Sequence, residues 1–493
     1  MPVLDKDEIR LLAQIQEFAK DKRVCLYVVG GYLRDILLRR KKPNPDMDFC
    51  LKRGAVNFGR GLARKLKGGF VVLDKEHGCC RIVKRLRDKI CTLDFADFRG
   101  NDIRRDLLLR DFTINALAVP LKDCLAGCLD GKTNFSTSEF DKLVIDPCEG
   151  RKDIAARLIR MADKRSFDDD PLRILRAFSL SAIFGFRIQP QTLRSIRSKR
   201  KLLAGVSFER IRDELFKVLD CDHAYDQMLA MDKQGVLREF LPEVEIMRGV
   251  EQGPYHHLDV LGHAFETLKQ LEMLINASKR NKDIVAYLDE VISSERKRSA
   301  LLKLGALLHD VGKPQARRRE KGRTKFHGHE RIGFKISEVA AKRMKLSNDE
   351  IARLIKMVFW HLRPGYLADN LDLTPRAIFR FFRDAGSEGA SILLLSLADQ
   401  RATRGPLTTD ESRQQHEKVV GRLIKEYFRR KKEKKLPRLI NGNDLMKKFK
   451  LQPSPLIGEI LSEIEELQAI GKIKNTKSAL REAARFIKNK KSK

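Results

Sequence analysis

No stretch of this chain is apolar for long enough to cross a bilayer. The longest run, Ala390 to Ala398, falls far short of the ~20 residues that a spanning helix needs. The N-terminus is charged from residue 5 and lacks the pattern of a secretory leader. No membrane partner is expected, and a cytoplasmic location is. Paired cysteines are missing too. All nine cysteines precede residue 222, and none shows CxxC spacing. Cys124 and Cys128 could form half of a zinc site, but no second pair follows at usable spacing, so reduced thiols are expected. Internal repeats and low-complexity tracts are absent, which excludes solenoid architectures. Acidic residues are in short supply: 67 Asp and Glu stand against 100 Lys and Arg, for a formal net charge of +33 and a pI near 9.9. Such an imbalance favours a polyanionic partner, and without a membrane segment that partner is expected to be a nucleic acid.

The chain is long, at 493 residues, and 42% hydrophobic, enough for about three or four domains with their own cores. Its first part alternates strand-like and helix-like pieces. Helical spacing runs from Asp7 to Lys20 and again from Tyr32 to Arg40. Strands are expected at Val24–Val29, Met47–Leu51, Phe70–Leu73 and Lys89–Phe95. From Arg151 onward the pattern is helical almost to the end. The expected fold is therefore α+β, a small mixed α/β head on a long, mainly helical body. Joints are expected at 248–254 (RGVEQGP), 404–409 (RGPLTT) and the basic run 429–435 (RRKKEKK), and a solvated mobile tail at KNKKSK.

Two constellations carry chemistry. The first begins with a strand ending in Gly30-Gly31 and followed by a helix with Arg34 one turn in. Glycine lets backbone approach a triphosphate, and a helix start offers free N–H groups; on its own a Gly-Gly is more often a turn. Asp46-Met47-Asp48 follows. On a strand, residues i and i+2 share a face, so both carboxylates can converge on Mg²⁺ ions serving an in-line displacement. The alternative, after Pro43-Asn44-Pro45, is a pair of turn residues. The second constellation is the concentration of seven of ten histidines between His256 and His361. His309-Asp310 lies in an apolar helical run, where an unpartnered pair is costly, so it is either a satisfied polar pair or a metal site.

The stretch VVGGYLRDILLRRKKPNPDMDF resembles the head motif of the class II tRNA nucleotidyltransferase and bacterial poly(A) polymerase family, within the polymerase-beta superfamily. Arg110 to Ala118 (RDFTINALA) resembles that family's ribose motif, and Asp169 to Ala177 (DDPLRILRA) its base-selecting motif. Asp146-Pro147, Glu149-Gly150 and Asp153 resemble the hinge between head and neck. The resemblance implies that Asp46 and Asp48 hold Mg²⁺. It also implies that Gly30, Gly31 and Arg34 meet the triphosphate, that Arg110 and Asp111 hold the sugar, and that Arg176 belongs to the nucleotide site. Asp170 and Arg173 would read the edge of C or A, a carboxylate accepting from the exocyclic amine and a guanidinium donating to the ring nitrogen. As residues i and i+3 of a helix they would share a face. Asp170 could instead cap the helix ahead of Pro171, a role that Asp169 could also fill. The sequence departs from the family pattern where Leu109 stands in place of a second arginine before the Asp-Phe-Thr block, and where Ser179 stands after Arg176 in place of another. Asp94 and Asp97 are the candidates for a third carboxylate.

The second constellation resembles the HD phosphohydrolase superfamily. Its four metal-binding groups match His263, His309, Asp310 and Asp399, and His329 with His361 match the ligands of a second metal. Imidazole with carboxylate suits Mn, Ni, Fe, Zn or Mg. Lys313 is a candidate to steady a substrate phosphate, and His256, His257 and His327 are expected to be supporting histidines. In the resembling enzymes such a domain removes 2′- or cyclic phosphates from RNA ends. The resemblance spans nearly the whole chain, as a head (1–150), a neck (151–250), an HD domain (251–405) and a tRNA-binding tail (406–493). It implies CCA addition to the tRNA 3′ end from CTP and ATP, with the HD site cleaning RNA ends. CC-only or A-only addition and poly(A) synthesis stay open, as does an HD hydrolase with a silent RNA-binding head. The HD domain and the charge distribution favour tRNA over poly(A) synthesis.

Overall fold

The first helix, α1 (Lys6–Asp21), opens on Asp5, whose carboxylate accepts from the N–H groups of Asp7 and Glu8, each at 3.0 Å, a favourable N-cap. The computed structural model describes residues 5–87, 89–129, 142–320, 323–369, 373–433 and 437–491. Contacts divide the chain into two compact units, residues 1–214 with 230–239 and residues 215–229 with 240–493. The chain changes unit three times, first inside the helix Phe208–Leu219 and last at 239/240, ahead of the glycine-rich stretch 248–254.

The first unit is built on a six-stranded sheet, β1 (Tyr27–Val29), β2 (Asp46–Leu51), β3 (Gly69–Asp74), β4 (Cys79–Leu86), β5 (Lys89–Asp97) and β6 (Ala118–Pro120), in spatial order β3-β4-β5-β2-β1-β6. β2 and β5 run parallel; every other pair is antiparallel. Period-two alternation decides the faces. Met47, Phe49 and Leu51 of β2, Leu93 and Phe95 of β5 and Ile82 of β4 are buried with Leu11, Ile15 and Phe18 of α1 and Phe58 and Leu62 of α3 (Ala55–Leu66). Phe49 and Phe95 stack at 4.9 Å between ring centres. The opposite face carries Asp46 and Asp48. Only at its far end is it covered, where Cys50 packs with Ile103 and Leu107 of the short helix Ile103–Leu108.

Several expected boundaries moved. β1 keeps only the last three residues of the expected strand, and β4 was not expected, because Arg81, Lys84 and Arg85 obscure its alternation. The helix expected from Tyr32 to Arg40 is α2 (Gly30–Leu37): the glycines form its first turn, and Arg39, at φ +55°, ends it. The expected mobile tail KNKKSK is helical to Lys491, within Thr476–Lys491. The basic run at 429–435 is, to Lys432, the end of the helix Asp410–Lys432, and Lys434 and Lys435 lie outside the described residues. Residues 151–491 are mainly helical, with short two-stranded ribbons such as Val291–Ser293 with Arg296–Lys297. Among the described residues no helix is long and apolar enough to cross a membrane. Cys124 is buried; the side chain of Cys128 lies outside the described residues.

In the second unit the helices Val260–Ala277, Arg298–Leu308, His329–Arg343, Asn348–Trp360 and Gly389–Ala402 pack together. At one end of Arg298–Leu308 the fully buried Arg298 is tied to Glu388, immediately ahead of Gly389–Ala402, and to Glu290 at 2.7 Å. Its guanidinium also lies 4.2 Å from the Tyr287 ring centre. The pair fixes two helices relative to each other, and His309 and Asp399 sit toward their opposite ends. Breaking a buried ion pair on one side leaves a desolvated charge, so Glu388→Ala is expected to cost about 3 kcal/mol, near the lower end of the usual range because Glu290 remains. The midpoint of urea unfolding checks this.

Candidate active site and metal centre

The first unit holds a cleft of about 310 Å³ at the uncovered sheet face, over the strand ends of β1 and β2. Gly30 needs to be glycine there: its φ is +68°, and a Cβ would come within 3.1 Å of Arg110 Nη1 and 3.2 Å of Asp48 Oδ2. The start of α2 points at Asp48, whose Oδ2 accepts from the Tyr32 N–H at 3.4 Å. Burial pushes the Asp48 carboxyl up, against the pull of Arg110, a state that a bound cation would relieve. Asp46 lies two residues earlier on the same face, exposed, with Lys42 Nζ 3.5 Å from its Oδ2. The parallel register sets Asp94 directly beside Asp48. Arg81 holds Asp94 with two hydrogen bonds, at 2.8 and 2.7 Å. Asp97 instead caps α3, accepting from the Ala55 N–H at 2.8 Å. Three carboxylates thus share one face, two of them already met by basic side chains, and the buried third is the one a cation beside it would favour.

The other expected residues do not all point into this cleft. Arg110 lines it, with Nε donating to Asp106 at 3.0 Å. Asp111 lines it as well; it accepts from Asn115 Nδ2 at 3.1 Å and pairs with Arg176 Nε at 2.9 Å. Although burial disfavours its charge, Arg176 holds Asp111 below the usual carboxylate range. Arg34 is different. Its guanidinium is buried, donates to Asp35 at 2.9 and 3.1 Å and to Asn115 Oδ1 at 2.5 Å, and lies 4.2 Å from the Phe184 ring centre. It braces the wall behind Gly31 and does not line the cleft.

Asp170 and Arg173 are not i and i+3 of one helix. Asp170 is an extended residue between Ser166–Asp169 and Arg173–Phe184. Its carboxylate accepts from the Leu172 N–H at 3.2 Å and from Arg210 at 2.9 Å, so Asp170, not Asp169, supplies the cap. Arg173 is buried and donates to the carbonyls of Leu109 (3.2 Å) and Arg110 (3.4 Å) and to Ser166 Oγ (3.0 Å). Both residues still line the cleft, and Arg173 ties the helix that bears Arg176 to the head's ribose motif. Ser179 is buried and hydrogen-bonded to Glu214. Sequence reasoning missed Asp106, Asn115 and Arg81. Asp106 stands at i−4 from Arg110, a legible pairing signal; the other two need the fold.

The second unit brings together all six residues of the histidine-rich constellation. His309 and His361 follow directly on helix ends and His329 opens a helix. Each donates Nδ1–H to the carbonyl three residues back: Ala306 (2.8 Å), Val358 (2.7 Å) and Phe326 (2.8 Å). The Ala306 and Val358 carbonyls are freed at helix ends and the Phe326 carbonyl in the turn before a helix start, and the bonds leave each Nε2 aimed inward. Asp310 sits at the centre. Its Oδ2 lies 3.1 Å from His309 Nε2 and 3.6 Å from His263 Nε2; its Oδ1 lies 3.3 Å from His329 Nε2 and 3.7 Å from His361 Nε2. Asp399 Oδ1 accepts from His263 Nε2 at 2.9 Å.

Two groups of potential metal ligands result, His263 with His309 and Asp310, and Asp310 with His329 and His361. Both Asp310 oxygens and His309 Nε2 are buried without a well-formed hydrogen bond among the described residues, and Lys313 and the imidazoles face the carboxylate as ion pairs. Buried ligand atoms left in this state are expected where a cation binds. Burial pushes the His361 imidazole down to about 3, leaving it neutral as a ligand must be. Gly312 has no room for a side chain: a Cβ would meet the His329 carbonyl oxygen at 2.1 Å. Lys313, the candidate phosphate ligand, lies 2.6 Å from both Asp310 Oδ2 and Gln252 Oε1. His256 stacks edge-on against His263, 4.8 Å between ring centres.

A mixed sheet with paired strand carboxylates beside a glycine turn, joined to a helical His/Asp metal centre, defines a polymerase-type nucleotidyltransferase carrying an HD domain. Four family models match, the last two overlapping: 'Poly A polymerase head domain' (26–160), 'Probable RNA and SrmB- binding site of polymerase A' (185–247), 'HD domain' (260–402) and 'tRNA nucleotidyltransferase domain 2 putative' (338–484). The CC-adding tRNA nucleotidyltransferase of Geobacter sulfurreducens is 31% identical over 406 residues, 81% of this chain and 80% of that protein. The A-adding tRNA nucleotidyltransferase of Deinococcus radiodurans is 29% identical over 453 residues, 90% and 92% of the two chains. The Thermotoga maritima CCA-adding enzyme, solved in complex with tRNA, shares the fold with a TM-score of 0.62 at 22% identity, covering 98% of this chain and 96% of that one. The chain belongs to the tRNA nucleotidyltransferase and poly(A) polymerase family. Both of its domain types work with divalent metals, and both sites offer ligands for them.

Proposed function

We propose that this protein adds C and A to the 3′ end of tRNA, building the CCA terminus without a nucleic-acid template, and that its HD site removes phosphate from RNA 3′ ends. The observation that carries the first reading is Asp46 and Asp48 on one face of β2, with Asp94 beside Asp48 and a glycine turn of positive φ against the same carboxylate. Asp46, Asp48 and Asp94 would hold Mg²⁺, which when bound neutralises triphosphate charge and favours ionisation of the 3′-hydroxyl. Gly30 and Gly31 admit the phosphates to the start of α2. Arg110 and Arg176, each paired with one aspartate, supply positive charge. Asp111, fixed by Asn115 and Arg176, is the acceptor for the ribose. Asp170 and Arg173 stand nearest to a base-reading role, though their present partners have to be exchanged when a nucleotide binds. Arg34 acts through Asn115 and Asp35 as a positioning residue. The fourfold division at 150, 250 and 405 assigns base selection to the neck and RNA grip to the basic tail, in a cytoplasmic enzyme.

The HD reading rests on the buried Asp310 carboxylate set among four imidazoles. The donor set suits Mn, Ni, Fe, Zn or Mg, and nitrogen-rich ligation weighs toward the transition metals. Relatives of nearly equal identity are a CC-adder and an A-adder, so the extent of addition is the quantity to measure. With tRNA lacking its last three nucleotides, Mg²⁺, CTP and ATP, products resolved to one nucleotide are expected to gain three residues and to need both substrates. A stop after two residues marks a CC-adder. A single A placed only on CC-ending tRNA marks an A-adder, and a long A tail a poly(A) polymerase.

A further inference from the structure

The half of the sheet beyond the carboxylates has an uncovered face that nothing above uses. Residues paired across strands share a face, and the register lays two rungs straight outward from the catalytic strand. One runs Asp48, Asp94, Arg81, Val71; the other runs Asp46, Thr92, Val83, Gly69. The reverse face of these strands is packed in the core, yet on this face Val71, Leu73, Val83 and Ile90 are 48, 52, 42 and 48% exposed. Scattered exposed aliphatics are ordinary; four on adjoining strands of one face make a patch that calls for a partner. Leu73 also lines the catalytic cleft, so patch and cleft are continuous. Arg85, paired with Ile90 and exposed, adds positive charge on the same face.

We propose that this β3–β4–β5 ledge is the bed on which the 3′-terminal nucleosides of the RNA primer lie during addition, an inference that rests on the transferase reading. In an in-line displacement the attacking oxygen and the departing pyrophosphate lie on opposite sides of the phosphorus. The residues assigned to the incoming nucleotide, Gly30, Gly31, Arg110, Asp111 and Arg176, are all on the β1 side of Asp46 and Asp48. The attacking 3′-hydroxyl therefore arrives from the β5–β4–β3 side, over this ledge. Its chemistry fits. The primer's last residue changes with every addition, so its bed has to accept any base. Aliphatic side chains under a base or ribose face give contact without a hydrogen-bond code, and sequence-tolerant recognition of single strands combines such apolar contact with phosphate-directed positive charge. Arg85 is placed for the phosphate.

The double variant Val71→Ser/Val83→Ser changes only exposed side chains that lie outside the cleft. Its KM for tRNA lacking CCA is expected to rise about tenfold, the loss of roughly 50 Å² of apolar contact. Its KM for CTP and its thermal midpoint are expected to stay at the wild-type values. An unchanged KM for tRNA overturns the proposal. A second measurement needs no turnover: tRNA ending in 4-thiouridine is photocrosslinked to the wild-type protein and the adduct is mapped by mass spectrometry. Crosslinks within residues 69–92 support the ledge, and crosslinks confined elsewhere, or none, overturn it. A wild-type protein that crosslinks on the ledge yet adds no nucleotide fails the transferase reading while leaving the ledge standing.

Discussion

The double variant Asp46→Ala/Asp48→Ala is expected to lose nucleotide addition by at least about a thousandfold, the several kcal/mol that carboxylate-held metals contribute to such a displacement. It is expected to hydrolyse RNA 2′,3′-cyclic phosphate at the wild-type rate. The loss is chemical and not structural, because neither side chain supports the fold. Asp46 is exposed and its one close partner, Lys42, also has Asp35 within 3.4 Å. Asp48 pays for its position in desolvation, and its removal frees the Tyr32 N–H contact at 3.4 Å while Arg110 keeps Asp106 as its partner. Asp94 cannot take over alone, since Arg81 engages both of its oxygens. Product gels for addition and release of phosphate for hydrolysis, on one preparation, check both halves. Addition persisting within tenfold of wild type removes Asp46 and Asp48 from the mechanism.

Why some of this was legible in the sequence and some was not follows from the kind of constraint each residue carries. Asp46 and Asp48 are separated by one buried methionine, and the period of a strand then leaves their shared face no freedom. Asp94 belongs to the same cluster only through the parallel register of β2 and β5, a non-local fact, so Asp94 and Asp97 looked alike in the sequence; the register separates them, one beside Asp48 and one capping α3. β4 escaped because Arg81 and Arg85 on the uncovered face and Lys84 on the packed one interrupt the alternation that would mark it as a strand. The helical character of the body was visible in its apolar spacing, and that of the basic C-terminal end was not, since lysine-rich sequence reads as solvated whether or not it is helical.

Charged side chains in motifs were the least legible. A motif states that an arginine is present, not which way it turns. Arg34 has Asp35 as its neighbour in sequence and Asn115 and Phe184 as neighbours in space, and these draw it behind the glycine turn. Asp170 precedes a proline, and its carboxylate takes the capping bond that this geometry offers. The expectation of a shared helical face with Arg173 assumed a helix one turn longer than the chain forms. The histidine centre lies at the other extreme. Burying four imidazoles and two carboxylates around one point is so costly without a cation that their presence on five separate elements of an apolar bundle already points to convergence.

Asp310→Asn is expected to lose hydrolysis and metal by at least about a hundredfold, more than the loss of an outer-shell partner produces, while nucleotide addition persists. Asp310 is the one residue common to both ligand groups, facing His309 and His263 with Oδ2 and His329 and His361 with Oδ1. The amide keeps the shape of the carboxylate but removes its charge and half of its acceptor capacity, so both groups lose their shared anion at once. Burial opposes its ionisation, yet His309 and Lys313 hold Asp310 well below the usual carboxylate range, so the anion is the form lost throughout the neutral range. Lys313, buried and 2.6 Å from Asp310, keeps Gln252 as a partner at the same distance, which limits the damage to the fold. Metal content by plasma mass spectrometry and cyclic-phosphate release, each compared with wild type, are the readouts. Retained metal with lost hydrolysis would move Asp310 from ligand to reacting group, and retained hydrolysis would place the phosphatase chemistry outside this centre.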